Sequence, residues 1–440
     1  MLSKDRKEQM IMQRINICDG ISFGYIRQTK FKTNFFKVCF VIDLKREYTT
    51  KLSLLSGVLM RASKNYPGIS QINNRLDYLY DMNVSSGTYK RGERLFFSYE
   101  CDFLKNEYLP DADENLLCEA VGMFKELVFN PYITDGGFDK KILDSEKTDL
   151  ANSIKSIINY KNAYVKEKCI ENLCENENFS ISEQGTLEDI EKVDEKNLYE
   201  FYKWLLSSAR VEIVFAGEAD AEKTAADFGK IFFENVKRNP VPLCETYITE
   251  KTKPEIRDIC EKMQVNQGKL ALGFRTGVGV TDDDSVAMSL FAEIFGGSPM
   301  SKLFMNVREK LSLCYYCRAS LDSYKGIMLV LSGIQSKNRD KSFDAIMKEL
   351  CDIQNGKVTN EEFEAAKLSL INSYKTLDDS PAGLAGWYIS RVLSGSFADP
   401  EDVVEKIKNT TVDEVIKVSG KVKLDTVFFL KGDDAEEVGE

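Results

Sequence analysis

Apolar positions along the chain follow the period of a strand in some segments and of a helix in others, and the segments recur in a fixed order. Residues 35–42, FFKVCFVI, are rich in aromatic and β-branched side chains, which is typical of a buried strand. The elements predicted for the first half are strand-like segments at 15–26 and 35–42, a helix at 49–62, a hairpin-like pair at 83–89 and 94–101, helices at 114–129, 138–172 and 195–207, and a closing strand at 210–216 followed by a short helix.

The second half repeats this order of elements. Its closing segment, LDTVFFL, has the same composition as the strand that closes the first half, and both run into acidic residues. The elements predicted for the second half are a strand at 269–274, helices at 284–295 and 300–310, strands at 314–321 and 327–332, helices at 341–354, 361–377, 381–394 and 402–408, and a closing strand at 424–430.

The shared order indicates a duplication. Residues 236–254 contain prolines and charges that break both periods, which is typical of a linker. The predicted domains are therefore 1–235 and 255–440. Because strands and long helices are mixed in each half, we expect an α+β fold of two tandem homologous domains, each a mainly antiparallel sheet covered by helices.

Composition narrows the class of protein. The chain has 440 residues, of which 43% are hydrophobic, so it can bury more than one core. Its formal net charge of −11 argues against nucleic acid or an anionic membrane surface as a partner. No apolar run approaches the ~20 residues that cross a bilayer.

The cysteines and the N-terminal segment predict a compartment. The 11 cysteines are odd in number and irregularly spaced, unlike a disulfide framework, and reduced thiols are the simpler interpretation. The first 20 residues contain no uninterrupted apolar stretch, so no secretory signal is predicted. We therefore expect a cytoplasmic protein.

The chain contains no histidine. Histidine is the usual general base near neutral pH and the commonest zinc ligand. Its absence excludes Ser-His-Asp and Cys-His catalysis and every zinc site that needs an imidazole. The sequence therefore predicts neither a catalytic residue nor a metal site of its own in this chain.

The segment 295–316, FGGSPMSKLFMNVREKLSLCYY, carries the sharpest local pattern. Ser298 or Ser301 can cap an amphipathic helix that ends just before a strand-like segment. A helix followed at once by a strand can direct Arg308 and Tyr315 into one space. From the residues alone, the simpler alternative is a surface arginine and an aromatic residue in the core.

This segment resembles the C-terminal signature of the pitrilysin/insulinase family of zinc metallopeptidases, which have the inverzincin fold and a pattern close to SRLF-x-x-VRE-x-x-GL-x-Y. Ser312 departs from it, because glycine is usual there. The resemblance implies that Arg308 and Tyr315 contact the substrate backbone near the scissile bond. The matching residues are Ser301, Lys302, Leu303, Phe304, Val307, Arg308, Glu309, Leu313 and Tyr315.

The same resemblance locates a degenerate zinc motif. The family's H-x-x-E-H falls on the first long helix, where this chain has Ser53 and Gly57 at the ligand positions and Ser56 at the general base. Of two further glutamates that the family places seven residues apart, Glu146 is present, but Ser153 stands at the zinc-ligand position. These side chains offer neither a good zinc ligand nor a carboxylate to activate water.

Cys314 and Cys317 form a CxxC pair. A zinc site would need a second such pair, and the sequence contains none. Positions three apart in a regular strand face opposite sides of the sheet, which would keep the two thiols apart. We therefore expect no metal or redox role for this pair.

A family member with the Arg308/Tyr315 pair but without zinc ligands resembles the corresponding subunit of bacterial heterodimeric processing peptidases. The resemblance implies a non-catalytic, substrate-binding subunit whose partner, a homologous H-x-x-E-H subunit, supplies zinc and the general base. The implied partners are that subunit and a peptide substrate. Three alternatives stay open: a structural scaffold, a lone peptide-binding protein, and a homodimer of the isolated chain.

Overall fold

The computed structural model describes residues 12–110, 115–249, 255–396 and 398–432. It confirms the predicted α+β class, because two mainly antiparallel sheets are each covered by helices. In the described part of the chain, no helix is long and apolar enough to cross a membrane. The final residues of the predicted linker, 250–254, lie outside the described residues, and 236–249 contain neither helix nor strand.

The described strands carry the aromatic and β-branched runs of the sequence. They are β1 (Met12–Cys18), β2 (Ile21–Arg27), β3 (Thr33–Asp43), β4 (Asn83–Arg91), β5 (Arg94–Leu104), β6 (Ile133–Thr134), β7 (Gly137–Phe138), β8 (Arg210–Gly217), β9 (Arg257–Lys262), β10 (Gly268–Arg275), β11 (Cys314–Asp322), β12 (Ile327–Ile334) and β13 (Lys423–Lys431).

The described α-helices occupy the amphipathic segments between these strands. Two π-helical segments, Glu293–Gly297 and Leu303–Lys310, lie between α9 and β11. The α-helices are α1 (Arg46–Arg61), α2 (Ile69–Tyr78), α3 (Leu116–Phe129), α4 (Lys140–Ser156), α5 (Lys161–Leu173), α6 (Leu187–Glu191), α7 (Glu195–Ser208), α8 (Ala221–Asn235), α9 (Ser285–Ala292), α10 (Arg339–Gln354), α11 (Asn360–Lys375), α12 (Pro381–Leu393), α13 (Pro400–Asn409) and α14 (Val412–Ser419).

The two large sheets have the same strand order. The six-stranded sheet runs β1-β2-β8-β3-β5-β4 and the five-stranded sheet runs β9-β13-β10-β12-β11. The closing strand β8 pairs in parallel with β2 and antiparallel with β3, and β13 likewise pairs in parallel with β9 and antiparallel with β10, so β1 is an additional edge strand of the larger sheet. A hairpin then extends each sheet, so β4 and β11 are equivalent edge strands. The repeated order agrees with the predicted duplication.

The first compact unit contains the six-stranded sheet and interleaves along the chain with the second. It comprises the described residues up to Ile154, Ser182–Glu245 and Leu377–Leu393. On one sheet face, Phe36 packs edge-on against Phe228 of α8 at 5.1 Å between ring centroids. On the other face, α12 buries Ile389 and its neighbours against β3 and β8. A late segment of the chain thus completes the core of an early sheet.

The second compact unit contains the five-stranded sheet. It comprises Lys155–Ile181, the described residues of Thr246–Thr376, and those from Ser394 onward. Helix α5 buries Cys169 and Leu173 against β10 and β13. The sequence predicts consecutive domains and one helix over 138–172, whereas the structure breaks that helix at a 3₁₀ turn, Ile157–Asn159. This break assigns α4 and α5 to different units.

Candidate functional site

Helix α1 carries the degenerate zinc motif on the face toward β4 and the 182–186 segment. Ser53 and Gly57 are four residues apart and therefore share one helix face. The Ser53 hydroxyl donates to the Glu183 carbonyl at 3.0 Å and lies 3.3 Å from the Thr88 hydroxyl on β4. The Ser56 hydroxyl donates back to the Ser53 carbonyl at 2.8 Å. Both serine hydroxyls are thus hydrogen-bonded to backbone carbonyls.

The Glu146 carboxylate occupies the space where a side chain at position 57 would begin. A Cβ built on Gly57 would overlap the Glu146 carboxylate, so only glycine leaves room for this contact. Glu146 is held there by an ion pair with the Arg61 guanidinium, one turn further along α1. Arg61 also pairs with Asp149 at 2.9 Å. A guanidinium thus neutralises the carboxylates that surround the former ligand position.

The position that corresponds to the family's further zinc ligand is hydrogen-bonded to the 182–186 segment. Ser153 lies on α4 two turns after Glu146, and its hydroxyl accepts a hydrogen bond from the Gln184 amide at 3.2 Å. The neighbouring Glu183 carbonyl accepts from Ser53, as described above. The 182–186 segment therefore bridges α1 and α4 over the degenerate motif.

These residues do not fit a zinc ion. Zinc in proteins prefers thiolate, imidazole and carboxylate ligands in tetrahedral arrangement, and a serine hydroxyl or a glycine supplies none of them. The two nearby carboxylates, Glu146 and Asp149, are both paired with Arg61. Within the described residues, no group of three or more Cys, Asp or Glu side chains could hold a metal ion.

The second candidate site begins with the π-helical segment Leu303–Lys310. Such segments are rare and occur frequently at functional sites. The turn that ends it places Ser312 at φ +51°, in the left-handed region that favours glycine, and the Leu313 amide donates to the Val307 carbonyl at 3.2 Å. The backbone thus keeps a glycine-type turn at the position where the sequence departs from the family pattern.

A β-bulge at the start of β11 sets the direction of Tyr315. Cys314 lies opposite Ile334 of β12 and Tyr316 lies opposite Gly333, so Tyr315 is the extra residue with no partner in the register. Its side chain is 65% exposed. The alternative of an aromatic residue in the core is therefore wrong for Tyr315.

The side chain of Tyr316, unlike that of the exposed Tyr315, is held in place by neighbouring residues. The Tyr316 hydroxyl donates to the Asn162 side chain on α5 at 2.6 Å, and the Lys269 ammonium lies 5.2 Å from its ring centroid. Burial raises the pKa of Tyr316 to about 12. Of the two adjacent tyrosines, Tyr316 holds the strand to its unit and Tyr315 projects outward.

Arg308 lies on the π-helical segment close to this end of β11. Its guanidinium stacks over the Phe304 ring at 4.5 Å and its Nη1 lies 3.5 Å from a Glu309 carboxylate oxygen. Its charge acts on the thiol of Cys314, the residue before Tyr315. The side chain is 38% exposed and carries further N–H groups for an incoming acceptor. The structure thus brings Arg308 and the base of Tyr315 to one end of an edge strand.

Two contributors to these sites are missing from the sequence predictions. Arg61 follows Gly57 by four residues, so helical spacing alone would have placed a cation on the motif face. The 182–186 segment gave no signal, because its contacts to Ser53 and Ser153 are made mainly through a backbone carbonyl and one amide. Long-range backbone contacts of this kind have no pattern in a single sequence.

A duplicated sheet-and-helix unit, a motif helix without zinc-ligand side chains and an exposed Arg/Tyr pair define a class: a metallopeptidase-type fold whose motif positions do not fit a zinc ion. A family profile described as "Peptidase M16 inactive domain" matches residues 192–370. The chain is thus similar to inactive members of the M16 (pitrilysin/insulinase-like) metalloprotease family, as the signature segment predicted.

Similar proteins agree with this assignment. The chain is 29% identical over 413 residues to the "Probable inactive metalloprotease YmfF" of Bacillus subtilis, covering 94% of this chain and 96% of that protein. A conserved protein from Enterococcus faecalis V583 superposes with a TM-score of 0.88 at 29% identity, covering 97% of this chain and all of that one. A peptidase M16 inactive domain from Pseudomonas fluorescens shares the fold, with a TM-score of 0.80 at 15% identity and 98% of this chain covered.

Proposed function

We propose that this chain is the non-catalytic, substrate-binding subunit of a heterodimeric, cytoplasmic zinc metallopeptidase that processes peptides. Its partner would be a homologous H-x-x-E-H subunit that supplies the zinc ion and the general base. One observation carries the proposal: Arg308 and Tyr315 lie accessible at one end of an edge strand, whereas Glu146, beside the zinc-motif position Gly57, is paired with Arg61.

The chemistry of the pair suits an extended peptide backbone. An exposed guanidinium donates strongly to a peptide carbonyl, and its bonds strengthen as negative charge develops on that oxygen. The Tyr315 hydroxyl can donate to the same peptide or orient it. Edge strands such as β11 accept extended peptides by backbone pairing. Arg308 and Tyr315 would thus position the substrate for water activated in the partner.

The test uses the purified chain mixed with an H-x-x-E-H homologue encoded in the same genome, with a quenched fluorescent peptide library as substrate. Arg308→Ala should lower kcat/KM of the mixture on the order of 10²-fold, the scale of losing one donor to the developing oxyanion. Tyr315→Phe, which removes only the hydroxyl, should lower it less.

The matched control is Arg318→Ala, an exposed arginine further along the same strand, which should leave cleavage unchanged. Co-elution of both chains on size exclusion shows that each variant still pairs. Equal cleavage by wild type and Arg308→Ala in an intact pair would remove the substrate-binding role and favour a structural scaffold.

A further inference from the structure

The β-bulge at Tyr315 places two thiols on one face of the sheet. Cys314 lies opposite Ile334 and Cys317 opposite Ser332, and residues opposite each other in a ladder project to the same side. Because Ser332 and Ile334 are two residues apart on one strand, they face the same way. Cys314 and Cys317 therefore share that face. The expectation that strand geometry would separate these thiols is wrong, because the extra residue of the bulge resets the alternation.

The two thiols differ in exposure and in the groups around them. Cys314 is partly exposed, whereas Cys317 is only 4% exposed. The Cys317 thiol and the Ser332 hydroxyl are neighbouring groups that act on the Cys314 thiol, and Ser332 acts on Cys317 as well. The Arg308 guanidinium is the cation that acts on Cys314. One sulfur is thus partly exposed and near a positive charge, and the other is buried.

These surroundings favour a thiolate at Cys314. The hydrogen bond from Cys317 lowers the pKa of Cys314, and Ser332 and Arg308 lower it further against the opposing effect of burial. The pKa of Cys317 is raised by the hydrogen bond with Cys314 and by burial. A reachable low-pKa thiol followed three residues later by a buried partner is the arrangement in which thiol–disulfide exchange is fast.

We propose that Cys314 and Cys317 form a reactive dithiol that closes to an intrachain disulfide on exchange with a low-molecular-weight disulfide. The Cys314 thiolate attacks one sulfur of the small disulfide, whose S–S bond breaks and whose other half leaves as a thiolate and takes a proton from water. Cys317 then loses its proton and attacks the Cys314 sulfur, which releases the second small thiol. The chain gives up two electrons and two protons, and one small disulfide becomes two thiols.

The closed ring would contain Tyr315 and Tyr316. A disulfide holds its two Cα atoms about 4.4–6.8 Å apart, whereas three steps of a regular strand span roughly 10 Å. Closure therefore deepens the bulge that sets the direction of Tyr315. The dithiol is independent of the proposed peptidase role, but the effect on peptide capture through Tyr315 rests on that role.

The first test needs only the full chain and oxidised glutathione. Mass spectrometry of the digested protein should show Cys314 linked to Cys317. Cys317→Ala should stop at a stable glutathione adduct on Cys314, and Cys314→Ala should show no link and no adduct at Cys317. Cys260→Ala, which removes an exposed thiol on β9, should leave the 314–317 link intact.

Recovery of both cysteines as free thiols in the wild-type chain, under conditions that modify Cys260, would overturn the dithiol. Circular dichroism shows whether each variant is folded, and the wild-type result stands even if a variant is not. A second measurement compares cleavage by the reconstituted pair before and after oxidation, where at least a several-fold fall is expected. A formed disulfide with unchanged cleavage would overturn the link to Tyr315 alone, and a pair without cleavage when reduced would count against the proposed function alone.

Discussion

Gly57 is the residue of the degenerate motif whose lack of a side chain matters most to its surroundings. Its missing side chain admits the Glu146 carboxylate, which Arg61 holds in place. Exchange of a helical glycine for alanine normally stabilises by about 0.5–1 kcal/mol. We expect Gly57→Ala to lose that gain in the wild type, where the new methyl group displaces the carboxylate, and to recover it in a Glu146→Ala background.

This double-mutant cycle is measured by chemical unfolding of the four proteins. We expect the effects of Gly57→Ala and Glu146→Ala on the free energy of unfolding to be coupled by at least about 0.5 kcal/mol. An equal effect of Gly57→Ala in both backgrounds would show that Glu146 does not occupy the space beside Gly57.

Ser312 tests the turn between the π-helical segment and β11. Left-handed backbone costs a non-glycine residue about 1–2 kcal/mol, and glycine removes that cost while it loses some chain entropy on folding. The Tm should therefore rise slightly for Ser312→Gly and fall clearly for Ser312→Val, whose branched side chain fits this conformation worst. Equal Tm values for Ser312→Gly and Ser312→Val in thermal unfolding would contradict the left-handed backbone conformation at Ser312.

At the scale of elements, the segment that follows α5 is fixed to the second unit by a buried ion cluster. Glu177 accepts from Arg275 at 2.5 Å and from Lys325 at 2.6 Å, and both cations are almost fully buried. Removal of the carboxylate leaves two buried positive charges. Glu177→Gln should therefore lower the free energy of unfolding by about 3–5 kcal/mol.

The same cluster predicts that the stability of the protein decreases at acid pH. Burial alone raises the pKa of Glu177, but the hydrogen bonds from Arg275 and Lys325 outweigh it, and the net pKa is lowered from 4.5. A lowered folded-state pKa contributes stability above pH 4.5 that is lost as pH falls through the folded value. When the free energy of unfolding is measured from pH 7 to pH 3, it should fall less steeply with decreasing pH for Glu177→Gln than for the wild type.

The matched control is Glu175→Gln, a half-exposed neighbour that pairs with Arg257 at the surface. It should change the free energy of unfolding by no more than about 1 kcal/mol. Equal effects of the two substitutions would show that the cluster around Glu177 does not hold this segment to the unit.

Sequence patterns predicted the helices and strands that have a strong hydrophobic period. They failed for elements whose structure depends on contacts with residues far away in the sequence. The aromatic run at 35–42 appears as β3, and the helix at 361–377 appears as α11. The segment 138–172 keeps one helical period throughout, so nothing in it marks the turn at Ile157–Asn159 or the separate sheet that α5 covers. Strand β9 was missed because its short, half-exposed sequence RDICEK depends on pairing with β13.

The candidate site was predictable only in part for the same reason. The signature segment located Arg308 and Tyr315, but the bulge that exposes Tyr315 and joins Cys314 to Cys317 depends on the register with β12. Likewise, the degenerate motif could be located from its helix. Its closure by Glu146 and the 182–186 segment depends on contacts between segments far apart in sequence.

At the scale of the whole molecule, the chain combines a duplicated M16-like fold and an exposed Arg/Tyr pair with an Arg61–Glu146 ion pair beside the degenerate zinc motif. A protein that retains the fold and gives up the metal is suited to act with a second subunit. The function we propose is a division of labour, in which this chain would hold a peptide and its partner would carry out hydrolysis.

The most direct test is the rate of peptide cleavage by the reconstituted pair compared with each purified chain alone, in zinc-containing buffer. The account predicts no turnover by this chain, little by the H-x-x-E-H homologue, and a rise of at least ~10²-fold when the two are mixed. Chelator-sensitive cleavage by this chain alone, or a mixture no faster than the homologue by itself, would contradict it.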